Sequence, residues 1–243
     1  MSEHSFDVVV IGGGPVGGLT AGLVAKAGYK VAIVEEHEHI GKPVQCAGLI
    51  TPRCFDIVDY AKGTILNGLK GAEIYSPTGH SLIIGKDKVQ AVVIDRAAFD
   101  RSIIEKAIDS GTIMISGKRV KGFEGKGRRQ VILNEGTLEA KLVIGADGAK
   151  SITRKLFGLD EPTYLLNGFS ADVSGLEIDQ DKAKVFFGRN LAPNFFAWMI
   201  PAGDITRVGL CTRDGNGTVH EHFKRLFKEG KTSGFLKNGK VIR

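Results

Sequence analysis

The chain has 243 residues, 42% of them hydrophobic and 25% charged, a balance that suits one large globular domain, or one and a half ordinary ones, with a packed core. Its formal charge of +6 is concentrated between Thr218 and Arg243, where seven basic residues face two acidic ones. The nearly neutral remainder argues against a nucleic-acid-binding face on the main body, and no apolar run approaches the roughly 18 residues of a membrane span.

In chain order, Val8 to Ile11 reads as a buried strand that enters the glycine turn Gly12-Gly-Gly-Pro-Val-Gly17. A small-residue helix, Gly18 to Lys26, leaves the turn, and a second strand, Lys30 to Val34, ends on Glu35. Each part has a physical role at a dinucleotide. Gly12 permits the tight turn, Gly14 lets backbone N–H groups approach a pyrophosphate, and Gly17 allows close helix–strand packing. The helix N-terminus favours phosphate charge, and Glu35 accepts ribose hydroxyls. The alternative for this segment alone is a glycine turn in an ordinary α/β unit. Asp7 and the glycines interrupt the first apolar stretch, which marks it as a strand and not a signal peptide, so a cytoplasmic protein is expected.

Residues 37–55 form a polar, turn-rich loop with Gly41, Pro43, Gly48 and Pro52. Leu69 to Tyr75 and His80 to Ile84 alternate around Ser76-Pro-Thr-Gly79, a hairpin signal, and Val89 to Ile94 is a further strand. Asp95 to Ser110 has helical spacing at Ala98, Phe99, Ile103, Ile104, Ala107 and Ile108. Arg96 sits in its first turn, with phosphate or polyol hydroxyls within reach of the guanidinium; a capped amphipathic helix is the plainer reading. Thr112 to Ser116, Lys118 to Glu124, Arg129 to Leu133 and Gly136 to Glu139 are short strands. Leu142 to Ile144 reads as a buried strand ending at Gly145-Ala-Asp-Gly148, with Ser151 opening a helix through Arg154. Asp147 alternatively braces this turn through an Asx bond.

Beyond residue 160 the chain turns β-rich. Phe169 to Val173, Lys184 to Phe187, Phe195 to Pro201 and Thr206 to Thr212 suggest an antiparallel sheet, and His220 to Lys228 a helix. The expected division is therefore 1–160, a dinucleotide-binding domain with a hairpin insertion near 65–93, and 161–243, a partial substrate domain. The basic tail reads as a solvated helix face, with attraction to anionic lipid or a substrate phosphate as the alternative. Cys46, Cys54 and Cys211 are odd in number and lack C-x-x-C spacing, so neither a metal site nor a disulfide framework is expected.

Together the glycine turn with Glu35, the Asp95-Arg96 segment and Gly145-Ala-Asp-Gly148 with Ser151 and Arg154 resemble the glutathione-reductase-type FAD oxidoreductases, in the branch of para-hydroxybenzoate hydroxylase and the geranylgeranyl reductases. The resemblance implies an α/β fold: a Rossmann-like FAD-binding domain beside an antiparallel-sheet substrate domain. It places Gly12, Gly14, Gly17, Glu35, Arg96, Val120 and Asp147 at FAD. The loop Gly41-Lys-Pro-Val-Gln-Cys-Ala-Gly48 is similar to that of the geranylgeranyl reductase family, especially its archaeal digeranylgeranylglycerophospholipid-reductase-like members. There it brings a cysteine and small residues beside the isoalloxazine, which implies the same for Cys46, Ala47 and Gly48. Taken by type alone, Cys46 is a small buried hydrophobe.

Phe196-Ala-Trp198-Met-Ile-Pro201 stands where that family carries Y-x-W-x-F-P, so Phe196, Trp198 and Pro201 are implied to line an isoprenoid cavity, without the aromatic hydroxyl. The implied activity is FAD-dependent saturation of geranylgeranyl C=C bonds of archaeal-type membrane lipid precursors, with Cys46 as proton relay or redox partner. The implied partners are an isoprenoid lipid, an electron donor (ferredoxin or reduced nicotinamide) and peripheral contact with the inner face of a membrane. An aromatic monooxygenase or halogenase, an electron-transfer flavoprotein and an inactive fragment are the competing readings. Family members return to the first domain through a late G-D-A-A-G-like segment. None follows Val208, so the fold is expected to be incomplete at the C-terminus.

Overall fold

The computed structural model of the chain describes residues 4–125, 127, 129–213, 217–228 and 230–242. Glu229 and Arg243 of the basic tail lie outside the described residues.

The chain opens with β1 (Ser5–Ile11), α1 (Pro15–Lys26) and β2 (Val31–Val34). Then come β3 (Leu49–Ile50), 3-10 turns over Pro52–Asp56 and Asp59–Thr64, β4 (Ile65–Leu69), β5 (Gly71–Tyr75), β6 (Ser81–Gly85) and β7 (Ala91–Ile94). Next are α2 (Arg96–Asp109), β8 (Ile113–Ile115), β9 (Val120–Glu124), β10 (Arg129–Leu133), β11 (Thr137–Gly145) and α3 (Ile152–Leu156). The last group is β12 (Asn167–Ser174), β13 (Lys182–Phe187), β14 (Phe196–Ala202), β15 (Ile205–Thr212), α4 (Val219–Leu226), α5 (Gly230–Leu236) and β16 (Lys240–Val241).

These elements form two units, Met1–Gln45 with Arg96–Thr163, and Cys46–Asp95 with Tyr164–Arg243. The units interleave along the chain, unlike the linear division at residue 160. Residues 46–95 fall in the second unit because β5 pairs in parallel with β13, Gly71 opposite Lys182 and Tyr75 opposite Phe186.

In the first unit the strand order is β8-β2-β1-β11-β10-β9. The first four strands are parallel, and β10 and β9 continue the sheet antiparallel. Both faces are covered, which is why Val8 to Ile11 and Val31 to Val34 are continuously apolar. Val8, Val10, Val31 and Ile33 pack with Ala21, Ala25, Ile104 and Ala107 on one face. Phe6, Val9, Ile11, Ala32 and Val34 pack with Val120, Val131 and Leu138 on the other. Helix α1 is made of small residues because α2 lies against it: a Cβ on Gly18 would come within 2.9 Å of Ile103 and Ile104.

Two expectations change here. Helix α1 begins at Pro15 rather than Gly18, since proline lacks the N–H that the first turn leaves unpaired and its φ suits the position. The expected buried strand Leu142 to Ile144 is the second half of β11, continuous with the hairpin strand, and Leu142 is 55% exposed.

In the second unit the order is β16-β12-β15-β14-β13-β5-β6, antiparallel except between β13 and β5. A small sheet, β3-β7-β4, belongs to the same unit. Alternation along β14 and β15 sends Ala197, Met199, Val208 and Leu210 to a core closed by Phe223 and Leu226 of α4 and Leu236 of α5. Leu69, Val93, Ala183, Ile200 and Ala202 form a second cluster. Thr218 opens α4 with a capping box: its hydroxyl accepts the Glu221 N–H at 3.3 Å, and the Glu221 carboxylate accepts the Thr218 N–H at 2.7 Å. Helix α5 and strand β16 are additions to the elements expected from the sequence. Among the described residues, no helix is long and apolar enough to cross a membrane.

Candidate functional site

The glycine turn, Glu35 and the Gly145–Gly148 turn converge in the first unit because β1 lies between β2 and β11 and all three end on the same edge. Ala146 donates its N–H to Ile11 O at 2.7 Å, and Gly12 donates to Val34 O at 2.8 Å. Gly12 has φ +107, and a Cβ there would lie 2.4 Å from Ala146 O. At Gly17 a Cβ would lie 1.9 Å from Gly12 O, so only glycine allows α1 to start this close to β1. Gly14 differs: a Cβ there would meet nothing within 4 Å. It caps α1 without a side-chain hydrogen bond, and the first turn of α1 holds no acidic residue. The result is an unobstructed, positively polarised helix end, a cradle that fits a pyrophosphate.

A cleft of about 830 Å³ opens at this edge, within the size range of cofactor sites. Its walls include Gly12 to Val16, Glu35 to His37, Arg96, Asp100, Lys118 to Lys121 and Ala146 to Gly148. Glu35 is held by its own turn. One carboxylate oxygen accepts the Gly13 N–H at 2.7 Å, and the other accepts the His37 N–H at 3.0 Å and lies 2.6 Å from His37 Nδ1. A carboxylate has about four acceptor positions, so the oxygen facing Gly13 retains one for a ribose hydroxyl.

Arg96 lines the cleft, but its Nε donates to Asp100 Oδ1 at 2.6 Å. Burial pushes the Asp100 carboxyl up, against the downward pull of Arg96. In the sequence Asp100 is marked only by its i,i+4 spacing from Arg96. Asp147 accepts from Ser151 Oγ at 2.6 Å, and from Thr153 N and Oγ1 at 2.9 and 3.1 Å. Burial would raise its pKa, but those hydrogen bonds outweigh burial and hold it below the usual carboxylate value. Asp147 therefore braces its turn and caps α3 while also lining the cleft. Val120 is 4% exposed and packs into the core with Val9 and Val131, with its residue at the cleft wall.

Cys46, Ala47 and Gly48 belong to the second unit. Cys46 Sγ accepts the Gly48 N–H at 3.4 Å. Gly48 has φ +70 and sits where a Cβ would come within 2.4 Å of Arg207 Nη1 and 2.7 Å of Ile94 O. Ala47 packs against the cluster of Leu69, Val93, Ile200 and Ala202, and Trp198 packs against the same cluster. Gly209 makes room for the indole, since a Cβ there would lie 2.6 Å from its Cζ2.

Phe196 and Trp198 meet edge to face at 6.3 Å, and Phe187 and Phe195 extend the row at 5.8 and 4.2 Å from Phe196. Pro201 is placed otherwise. Strand alternation puts it with Ala197 and Met199, opposite Phe196 and Trp198. Phe186 is likewise in the helix-covered core, stacked on Tyr75 at 4.8 Å.

The sequence model of the FAD binding domain family matches residues 5–214. An uncharacterised protein of Methanocaldococcus jannaschii is 36% identical over 99% of this chain and 62% of its own length. The digeranylgeranylglycerophospholipid reductase of the same organism is 28% identical over 98% of this chain and 63% of its own. Among solved structures, a geranylgeranyl bacteriochlorophyll reductase-like protein of Thermoplasma acidophilum superposes with a TM-score of 0.87 at 23% identity, covering 99% of this chain and 65% of that one. The chain spans about three-fifths of the length of the curated relatives it matches.

Proposed function

The chain belongs to the FAD binding domain family, and on that premise we propose that the protein is an FAD-dependent reductase that saturates C=C bonds of geranylgeranyl chains in membrane lipid precursors. The cofactor is FAD. We assign its ADP half to the glycine turn: the N–H groups at Gly14 and the start of α1 hold the pyrophosphate, and the open acceptor position of Glu35 takes a ribose hydroxyl. Gly12 and Gly17 serve by letting strand and helix approach. Arg96, Val120 and Asp147 line the same cleft.

Bound and reduced, FAD supplies a hydride for an unpolarised alkene. The protein's part is to orient the alkene, exclude water and hold a proton near it. Phe196 and Trp198 offer an apolar aromatic face for an isoprenoid, and Cys46 offers a thiol as proton holder. Pro201 supports the strand from its other face. The observation that favours this reading over hydroxylation is that the Cys46–Gly48 loop and the Trp198 strand pack on one apolar cluster. Ala47, the neighbour of Cys46, and Trp198 share that cluster. The electron donor, ferredoxin or reduced nicotinamide, and peripheral contact with a membrane belong to the same proposal.

The test is to load the protein with FAD, reduce it chemically and incubate it with a geranylgeranyl lipid without oxygen. A mass gain of one hydrogen pair per saturated bond, much reduced in Cys46→Ser, is the expected result. Bound FAD with no reduction, together with substrate-dependent oxygen consumption in air, would identify a monooxygenase instead. Failure to bind FAD would restrict the reading to the family fold.

A further inference from the structure

Arg207 lies on β15, next to β12 and β14 in the middle of the seven-stranded sheet, and is 7% exposed. A buried guanidinium in an apolar layer is costly unless its donors are used. Here one nitrogen, Nη1, donates to two carbonyl groups far apart in sequence, Ala47 O at 2.7 Å and Ile94 O at 2.8 Å. Asp172, 8% exposed, faces the guanidinium with Oδ1 at 3.7 Å from Nε and balances its charge. The same two segments are joined directly, since Ile94 donates its N–H to Gly48 O at 2.8 Å. The backbone at Gly48 is thus confined between Ile94 and Arg207 in a left-handed conformation. Cys46 takes its place from that loop through the Gly48 N–H.

We propose that Arg207 is the positioning residue of the Cys46 loop: its guanidinium ties Ala47 to the end of β7 and so fixes where the Cys46 thiol is presented. The catalytic meaning of this clamp rests on the role given to Cys46 above, whereas the clamp itself does not. Lysine cannot replace it, because one ammonium on a flexible stem would have to serve both carbonyl groups and Asp172, which arginine meets with separate nitrogens, Nη1 and Nε.

The experiment is site-resolved alkylation of the whole protein by iodoacetamide, read by mass spectrometry at Cys46, Cys54 and Cys211. Losing hydrogen bonds to a buried charged group opens the loop locally, and about a tenfold faster reaction at Cys46 is expected in Arg207→Ala. Cys54 and Cys211 should stay within about twofold of their original rates. Millimolar guanidinium ion should restore the slow rate in Arg207→Ala and have no such effect in the unsubstituted protein. Arg207→Lys keeps the buried charge and serves where Arg207→Ala does not fold; it should reproduce most of the acceleration. An unchanged Cys46 rate in either folded variant, or equal acceleration at all three thiols, overturns the proposal. These outcomes are independent of prenyl reduction, so a silent enzyme with a loosened Cys46 would sink the reductase reading and leave the clamp standing.

Discussion

Gly17 and Gly14 stand three residues apart in one turn and are glycine for opposite reasons, one because space is filled and the other because it is open. Gly17→Ala would force a methyl carbon to 1.9 Å from Gly12 O, and the backbone would have to part. A loss of about 2–3 kcal/mol in urea unfolding is expected, together with weaker FAD binding. Gly14→Ala should stay within about 1 kcal/mol of the parent, since its methyl would enter open space, yet bind FAD at least about tenfold more weakly if that space is the proposed phosphate seat. Equal FAD titrations for Gly14→Ala and the parent would remove the pyrophosphate from that helix end. Asp147 has a pH signature. Its folded pKa is depressed, so its contribution is complete above the unfolded value of 3.8 and disappears as pH falls through the folded value. Asp147→Asn should therefore be less stable at neutral pH, and its urea midpoint should fall less steeply below pH 3.8. An acid limb identical to the parent's would show that the Ser151 and Thr153 bonds do not hold the ionised form.

At the level of elements, the second unit places an ion pair where β5 meets β13. Lys184 Nζ lies 2.6 Å from Glu73 Oε2 and 4.5 Å from the centre of the Phe235 ring, with the side chain 8% exposed. Lys184→Met leaves Glu73 without its cation and should cost about 3 kcal/mol, whereas Lys184→Met with Glu73→Gln should recover most of that loss. If the double variant unfolds at the same denaturant concentration as the single one, the pair is not what joins these strands. The pair also shows what local patterns cannot reveal. Strands such as Val8 to Ile11 were legible because runs of β-branched residues bounded by glycine have few alternatives. The partner of Gly71 to Tyr75 lies 111 residues away at Lys184 and leaves no trace in local spacing. For the same reason nothing in the local pattern of β15 marks Arg207, and chain order alone assigns residues 46–95 to the nucleotide half. Phe196 and Trp198 could be placed on one strand face from alternation, and the same count should have set Pro201 on the other.

For the molecule as a whole, FAD should report on the first unit, since the cleft is built from its residues alone. At free FAD about a hundred times its Kd, unfolding should be opposed by about 2.7 kcal/mol, seen as a raised transition in calorimetry. Amide hydrogen exchange should slow most at residues 11–17, 34–37 and 146–153. Protection confined to residues 164–242 would move the cofactor out of this cleft. The glycine turn, Glu35 and the Gly145–Gly148 turn were legible as a set because each follows a parallel strand, at the edge where α/β sheets place their ligands. The order of those strands in space, β2-β1-β11, also has a consequence during synthesis. Ser5 pairs with Glu139, 134 residues later, so one side of β1 has no neighbour until β11 has been translated. Until then an apolar strand with unpaired N–H and C=O groups is exposed to other nascent chains. In a ribosome-bound chain β1 itself should therefore crosslink to chaperones until residues 137–145 have left the ribosome, and no longer once they have. The glycine turn is made early and finished late.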